Sequence, residues 1–276
     1  MAAASPLSPV GEFARRHDPD RFLCALFAPA ARREALFTLI AYNHELARAR
    51  EAAKTPLIAL MRLQWWRDVV EQAAEGKPPR RHEVAGPLHA AIAAGALEAA
   101  DLLALADARE AEAEEEGIPT WEAFAAYLRG TAGGFAVAAG RLLGAPPALL
   151  PDLQAAGAAY GLAGVLRSVP ALAAQGRCLL PQDALAAAGL APEAVVQDPA
   201  AARPVVAALA ASGTVPLAQA RSGLRRLGRP AIAAALPAVL ARRDLRRLAR
   251  GADAASGPRS LGDRLAVTLA GLAGRP

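Results

Sequence analysis

Only two cysteines, Cys24 and Cys178, occur in the 276 residues, and they stand far apart with no CxxC or Cys/His spacing. That count supports neither a zinc site nor a disulfide framework, and buried free thiols are the expectation. Aromatic residues make up 4% of the chain, and with β-branched residues also scarce, the usual material of sheets and of base-stacking platforms is missing. The four histidines, His17, His44, His82 and His89, show no HExxH or paired spacing, so metal-dependent hydrolysis is not indicated. No serine lies in a GxSxG elbow, no GxGxxG follows a strand pattern, and there is no phosphate-binding P-loop. Long apolar runs are absent as well. The longest uncharged stretch, Pro204 to Ala220, contains Ser212, Gly213, Thr214, Pro216 and Gln219, and falls short of the ~18 to 20 apolar residues of a membrane span. The opening Met1-Ala-Ala-Ala-Ser-Pro segment lacks a basic and an apolar section, so no secretory leader is read there and a cytoplasmic location is expected.

What the chain does contain is alanine, leucine, arginine and glutamate, with 54% hydrophobic residues overall. Helix propensity dominates outside the Pro and Gly breaks, and no Pro/Gly/Ser-rich linker divides the sequence, so residues 1–276 read as one all-α domain. Pro29 opens a helix running to about residue 53. Thr55 and Pro56 supply the N-cap oxygen and first-turn geometry of a second, which stops near Gly76. Further helices are expected near 86–95, 98–116, 120–143, 152–168, 200–211, 215–228, 230–250 and 260–273, with Thr120 as another N-cap. The small-residue stretch Thr131 to Gly140 serves either close helix packing or the lining of a cavity, with packing the default. The acidic run Asp107, Glu110, Glu112, Glu114, Glu115, Glu116 reads as a solvated helix end rather than a metal site. Charge is uneven: Arg221 to Arg250 holds nine arginines against one acid, Asp244. A solvated face is the plain reading, an anionic membrane surface or an acidic protein the next, and nucleic acid comes last and is not expected, since no aromatics interleave to make the stacking platform of single-strand binding.

The segment Gly161 to Pro181 carries Leu166-Arg167, then Gly176-Arg177, then Leu180-Pro181, at the spacing of the second aspartate-rich motif of squalene and phytoene synthases, roughly LRDVxxDxxxGRxYLP. Leu39 to Glu51 resembles the apolar helix that runs into the first motif, DDxxD. Arg62 to Glu71, Gly76 to Pro79 and Ala111 to Gly144 are also similar to that family, so the resemblance covers about residues 20–185. It implies a single-domain, isoprenoid-synthase-type helical bundle around a central cavity, with residues 186–276 as C-terminal helices of the same domain.

In that family, as the resemblance implies, aspartates one turn apart on two facing helices hold magnesium against an allylic diphosphate. Here the corresponding positions are Ala47 and Glu51 in the first motif and Ser168 and Leu172 in the second, with Leu179 at the tyrosine. Pro170 stands between the second pair and disfavours a continuous helix there. No catalytic residue, metal site or cofactor is therefore expected, and magnesium enters only if an altered site using Glu51 and Glu45 sustains prenyl transfer. Leu166-Arg167-Ser168-Val169-Pro170 together with Asn43-His44-Glu45-Leu46-Ala47 is most similar to the aspartate-less branch that contains a mitochondrial complex I assembly factor. The resemblance thus implies a non-catalytic assembly or scaffold protein with a protein partner, such as a respiratory-complex subunit, that is cytoplasmic and at most peripheral on the inner membrane. The alternatives are a prenyl-diphosphate transferase and an isoprenoid-lipid-binding protein. Arg167 and Arg177, retained from the motif, are the candidates for holding an anionic head group or for buried ion pairing.

Overall fold

Prolines and short oxygen-bearing side chains cut the chain into helices. Ser8 accepts from the Gly11 amide at the start of α1 (Pro9–His17), and Asp18 accepts from Arg21 N at the start of α2 (Pro19–Ala25). Pro29 precedes α3 (Ala30–Glu51), and Thr55 caps α4 (Pro56–Ala74) through the Ile58 amide. Thr120 likewise caps α7 (Trp121–Leu128) through Ala123 N at 3.2 Å. Both threonine caps are those read from the sequence. The structure, a computed structural model, describes residues 7–53, 55–114, 117–252 and 257–276, and these contain no strand. Glu115 and Glu116 of the acidic run, and the opening segment 1–6, lie outside the described residues.

The remaining helices are α5 (Ala85–Ala93), α6 (Ala99–Ala108), α8 (Gly134–Leu142), α9 (Leu150–Arg167), α10 (Val169–Ala173), α11 (Gln182–Ala187), α12 (Pro192–Gln197), α13 (Arg203–Leu224), α14 (Ile232–Ala235), α15 (Pro237–Ala249) and α16 (Leu261–Ala273). At the centre, α9 is packed against α8, α13 and α15, and buries Leu153, Ala156, Ala159, Leu162, Ala163 and Leu166. The approach is close because side chains are missing where backbones meet. A Cβ on Gly157 would lie 2.4 Å from the Ala132 carbonyl oxygen, and one on Gly213 would lie 2.3 Å from Leu162 Cδ2. The stretch Thr131 to Gly140 therefore packs on α9, through a π-helical turn at Arg129–Gly133 and then α8.

Several boundaries differ from the sequence reading. The helix expected over 98–116 ends at Ala108 and gives way to a 3-10 turn at Glu110–Glu112. The two helices expected over 200–228 are one: Pro199–Ala202 leads directly into α13, which continues through Pro216. Gly213 looks like a break in sequence but accommodates Leu162. Pro199–Leu224 is in consequence long and apolar enough to cross a membrane, with a mean hydropathy of 1.3 over its best window, which the shorter uncharged stretch did not suggest. Here it packs on α9 and α15, burying Val206, Leu209, Leu217 and Leu224. A long apolar core runs through the bundle and includes Tyr42, Trp66, Phe124 and Phe135.

Candidate functional site

The first motif lies on α3. Its apolar part is inside, with Leu39, Ile40, Tyr42, Asn43 and Leu46 buried, and the Tyr42 hydroxyl donates to the Leu102 carbonyl at 2.9 Å. Ala47 is half-buried, Glu51 is exposed at the last residue of the helix, and Glu45 lies 3.8 Å from Arg48. The second motif lies where α9 ends. Ser168 is the only residue between α9 and α10, with φ −89° and ψ 0°, and Pro170 occupies the first turn of α10. A proline there sacrifices no helix hydrogen bond of the new helix. The interruption is therefore shorter than Pro170 alone suggested, and the Leu172 amide still reaches the Ser168 carbonyl at 2.8 Å. The Leu172 side chain is buried in the core.

Around these motifs sits a polar cluster that the sequence reading missed. Glu112, expected to be solvated, is buried. Its Oε1 accepts from Arg109 Nη1 at 2.5 Å and from the Tyr127 hydroxyl at 2.7 Å, and its Oε2 lies 3.8 Å from Arg177 Nη2. Arg109 Nη2 donates in turn to Asn43 Oδ1 on α3 at 3.2 Å. The correction has a simple cause. Once α6 ends at Ala108, the 3-10 turn swings position 112 inward, and a buried carboxylate needs the cations and hydroxyl it finds there. Asp107 and Glu110 remain at the surface, where both pair with Arg67. A helix-end acid near an arginine and a tyrosine was visible in the sequence, but the change of helix type was not.

The electrostatics of the cluster are cationic. Burial pulls the Arg109 guanidinium toward losing its proton, but the Glu112 carboxylate outweighs it and its pKa rises. Burial first, then the Glu112 charge, raises the Tyr127 phenol, which stays protonated as a donor. Two buried donors, Arg109 Nε and Arg177 Nη2, have no hydrogen-bond partner among the described residues. A cleft of about 650 Å³ reaches this cluster, bordered by Arg50, Glu112, Glu114, Arg177 and Glu193. Magnesium asks for several hard oxygens in near-octahedral order. The cluster instead offers one carboxylate already held by two guanidinium groups and a hydroxyl; Ala47 and Leu172 bring no oxygen, and Ser168 and Glu51 bring one hydroxyl and one exposed carboxylate, so these residues do not supply the oxygen set that ion asks for. Among the described residues, no group of three or more His, Cys, Asp or Glu side chains is placed to hold a metal.

Arg167 and Arg177 are not brought together on a shared partner. Arg177 faces Glu112, whereas Arg167 lies 3.6 Å from Asp244 on α15 and donates to the Gly257 carbonyl at 3.3 Å. Asp244 is buried and also meets Arg259 at 2.5 Å and Arg247 at 3.5 Å. Arg259 reaches Asp20 at 2.7 Å, and Asp263 is held by Arg247, Arg243 and Ser260. Hydrogen bonds from Arg247, then Arg243 and Ser260, hold the Asp263 carboxyl far below the ordinary carboxylate range despite its burial. The arginine-rich region is thus divided. Arg243 and Arg247 pair with aspartates, while Arg221, Arg225, Arg242 and Arg246 border an open cleft that Arg243 also lines.

Comparison with known proteins places this geometry in context. The family model described as "Squalene/phytoene synthase" matches residues 14–269. "NADH dehydrogenase (ubiquinone) complex I, assembly factor 6" from Bos taurus is 29% identical over 195 residues, covering 66% of this chain and 57% of that protein. The Homo sapiens protein of the same name is 29% identical over 178 residues, covering 62% and 52%, and that of Mus musculus 28% over 234 residues, covering 82% and 68%. The chain thus spans a little over half the length of the bovine and human relatives. Among solved structures, a dehydrosqualene synthase in complex with ligand aligns with a TM-score of 0.78 at 14% identity, over 96% of this chain and 94% of that one. The squalene synthase HpnC from Alicyclobacillus acidocaldarius aligns with a TM-score of 0.72 at 18% identity, over 87% and 92%.

Proposed function

The chain belongs to the squalene/phytoene synthase family, and from that premise we propose that it is a member without prenyl-transfer chemistry, acting as an assembly factor for an NADH dehydrogenase complex. The observation that carries the reading is the polar cluster. Where the family resemblance calls for aspartates presenting magnesium to a diphosphate, this chain has Ala47, one exposed carboxylate at Glu51, Ser168 and a buried Leu172, near two guanidinium groups that neutralise their own carboxylate, Glu112. A cationic site of this kind repels divalent metal and offers no second wall of carboxylates to a bridging ion. The relatives named as complex I assembly factor 6 supply the role, and the chain's protein partner is accordingly a subunit or intermediate of that complex. The proposed setting is the cytoplasm, with peripheral contact to the inner membrane through the surface argued below. No cofactor is needed for such a role.

Two measurements test it. Removing the gene from the organism that encodes it is expected to deplete assembled, NADH-oxidising complex on native gels, with restoration by the intact chain and by Glu51→Gln. Incubating the purified protein with farnesyl diphosphate and magnesium is expected to release no diphosphate. A joined C30 product lost in Glu51→Gln would replace the reading with prenyl transfer through an altered metal site.

A further inference from the structure

The outer face of α16 carries a row of exposed leucines that no described residue covers. Leu261, Leu265, Leu269 and Leu272 are 77%, 60%, 65% and 62% exposed. Their spacing of four, four and three residues puts them within about 80° of one another around the helix, in a stripe about 16 Å long. The opposite face is fixed. Val267 is buried, Gly271 lies against the Phe27 ring, Asp263 is held by Arg243 and Arg247, and Arg229 Nη2 donates to the Leu272 carbonyl at 2.8 Å. The helix therefore holds a permanent orientation with its leucines outward.

Beside that stripe lies a cleft of about 770 Å³ lined by Arg221, Arg225, Arg242, Arg246 and Arg275 and by Arg243, which is paired with Asp263, with no described acidic residue lining it. Its α16 wall is Ala266 and Ala270, which sit roughly a quarter-turn or a little more round the helix from the leucines. The cleft and the stripe thus share one edge. Burial, then Arg221 and Arg246, lowers the Arg242 pKa, as expected where guanidinium groups crowd with no counter-charge.

We propose that α16 and the adjoining arginine cleft form a docking surface for an anionic phospholipid bilayer, with the leucines entering the headgroup and acyl boundary and the arginines contacting lipid phosphates. An apolar helix face bordered by cations of one sign has the character of an interfacial anchor. Guanidinium groups pair bidentately with phosphate oxygens, and several together select an anionic surface over a zwitterionic one. A second copy is the weaker occupant, because a two-fold contact sets a patch against itself and would bring the arginine clusters of both copies together. The inference rests on surface geometry and stands apart from the assembly role.

The test uses the full chain and vesicles of phosphatidylcholine with or without phosphatidylglycerol. Sedimentation is expected with the anionic vesicles only, weakening as salt rises. Leu265→Ser with Leu269→Ser, both exposed and so harmless to the core, should weaken binding by about tenfold or more. Arg242→Glu with Arg246→Glu should weaken it at least as much. Leu269→Trp should blue-shift its emission on anionic vesicles, reporting insertion. The proposal is overturned if the intact chain ignores anionic vesicles, or if the leucine variant binds as tightly as the intact chain. It is also overturned if the chain forms a dimer that the leucine variant disperses.

Discussion

The protein treats its arginines in two ways. Near the family's catalytic positions, Arg109 and Arg177 are nearly covered and converge on one carboxylate, Glu112, with Tyr127 and Asn43 completing the cluster. At the other end, Arg221, Arg225, Arg246 and Arg275 are exposed and Arg242 is half-buried around a cleft that no described acidic residue lines. The difference follows from desolvation. A guanidinium group removed from water requires a partner inside the protein, whereas one left hydrated tolerates its neighbours at small cost and is available to something outside. The first cluster is therefore part of what holds the fold, and the second is a surface in search of an anion. Their dividing point is α15, where Arg243 and Arg247 turn to Asp263 and Asp244 while Arg242 and Arg246 do not.

The contrast breaks most directly at Glu112. Glu112→Ala leaves Arg109 and Arg177 buried without a counter-charge, at a cost of about 3 to 5 kcal/mol, or on the order of 10 °C in melting temperature. Glu110→Ala, a surface control, should change stability by less than about 0.5 kcal/mol. Equal denaturation midpoints for the two variants would show that the enclosed cluster is not structural. Asp244→Asn comes next. It weakens the pairing of Arg167, Arg247 and Arg259, but Arg259 keeps Asp20 and Arg247 keeps Asp263, so the loss is expected nearer 2 kcal/mol in urea unfolding.

Much of this division was legible in the residues, and some was not. The all-α class, the Thr55 and Thr120 caps and the end of α9 at Ser168 follow from local chemistry that acts within a turn or two, so sequence carries them. The excess of arginine over acid in 221–250 was equally plain. Which of those arginines face inward was hidden, because their partners Asp263 and Asp20 come from elements distant in sequence and only packing brings them near. Glu112 was misread for a related reason: its burial depends on α6 giving way to a 3-10 turn, and the polar residues that receive it lie on α3, on α7 and beyond α10. The helix expected near 260–273 carried no reading of which face it would bury; the structure turns Val267 and Gly271 to the bundle and the leucines outward.

A half-buried imidazole lies between the two extremes and responds to pH. Burial, then the neighbouring charges of His17 and Arg48, lowers the His44 pKa to about 4 from the ordinary 6.5, against a smaller opposing pull from Asp18. His44 packs its ring 4.5 Å from that of His17, and its Nε2 is buried without a hydrogen-bond partner among the described residues. Above pH 6.5 the imidazole is neutral in both folded and unfolded chains. Between pH 6.5 and 4 the unfolded chain binds a proton that the folded chain resists, so stability is expected to fall across that window and to level off, for this group, below it. His44→Gln should flatten the slope in denaturation measured from pH 7 to 4, and an unchanged slope would assign the loss to other groups.

The smallest effect sharpens the comparison from the opposite side. Arg242 is half-buried and surrounded by Arg221, Arg225, Arg243 and Arg246, all of which oppose its charge. Removing it takes away repulsion and leaves no carboxylate orphaned, because the Asp263 partners are Arg243 and Arg247. Arg242→Gln is therefore expected to leave stability unchanged or raise it by up to about 0.5 kcal/mol at low ionic strength. The gain should shrink as salt screens the remaining arginines, and inorganic phosphate should stabilise the intact protein more than the variant. A loss comparable to that of Glu112→Ala would mean that the cleft arginines are held by internal partners after all, and the two regions would then obey one rule.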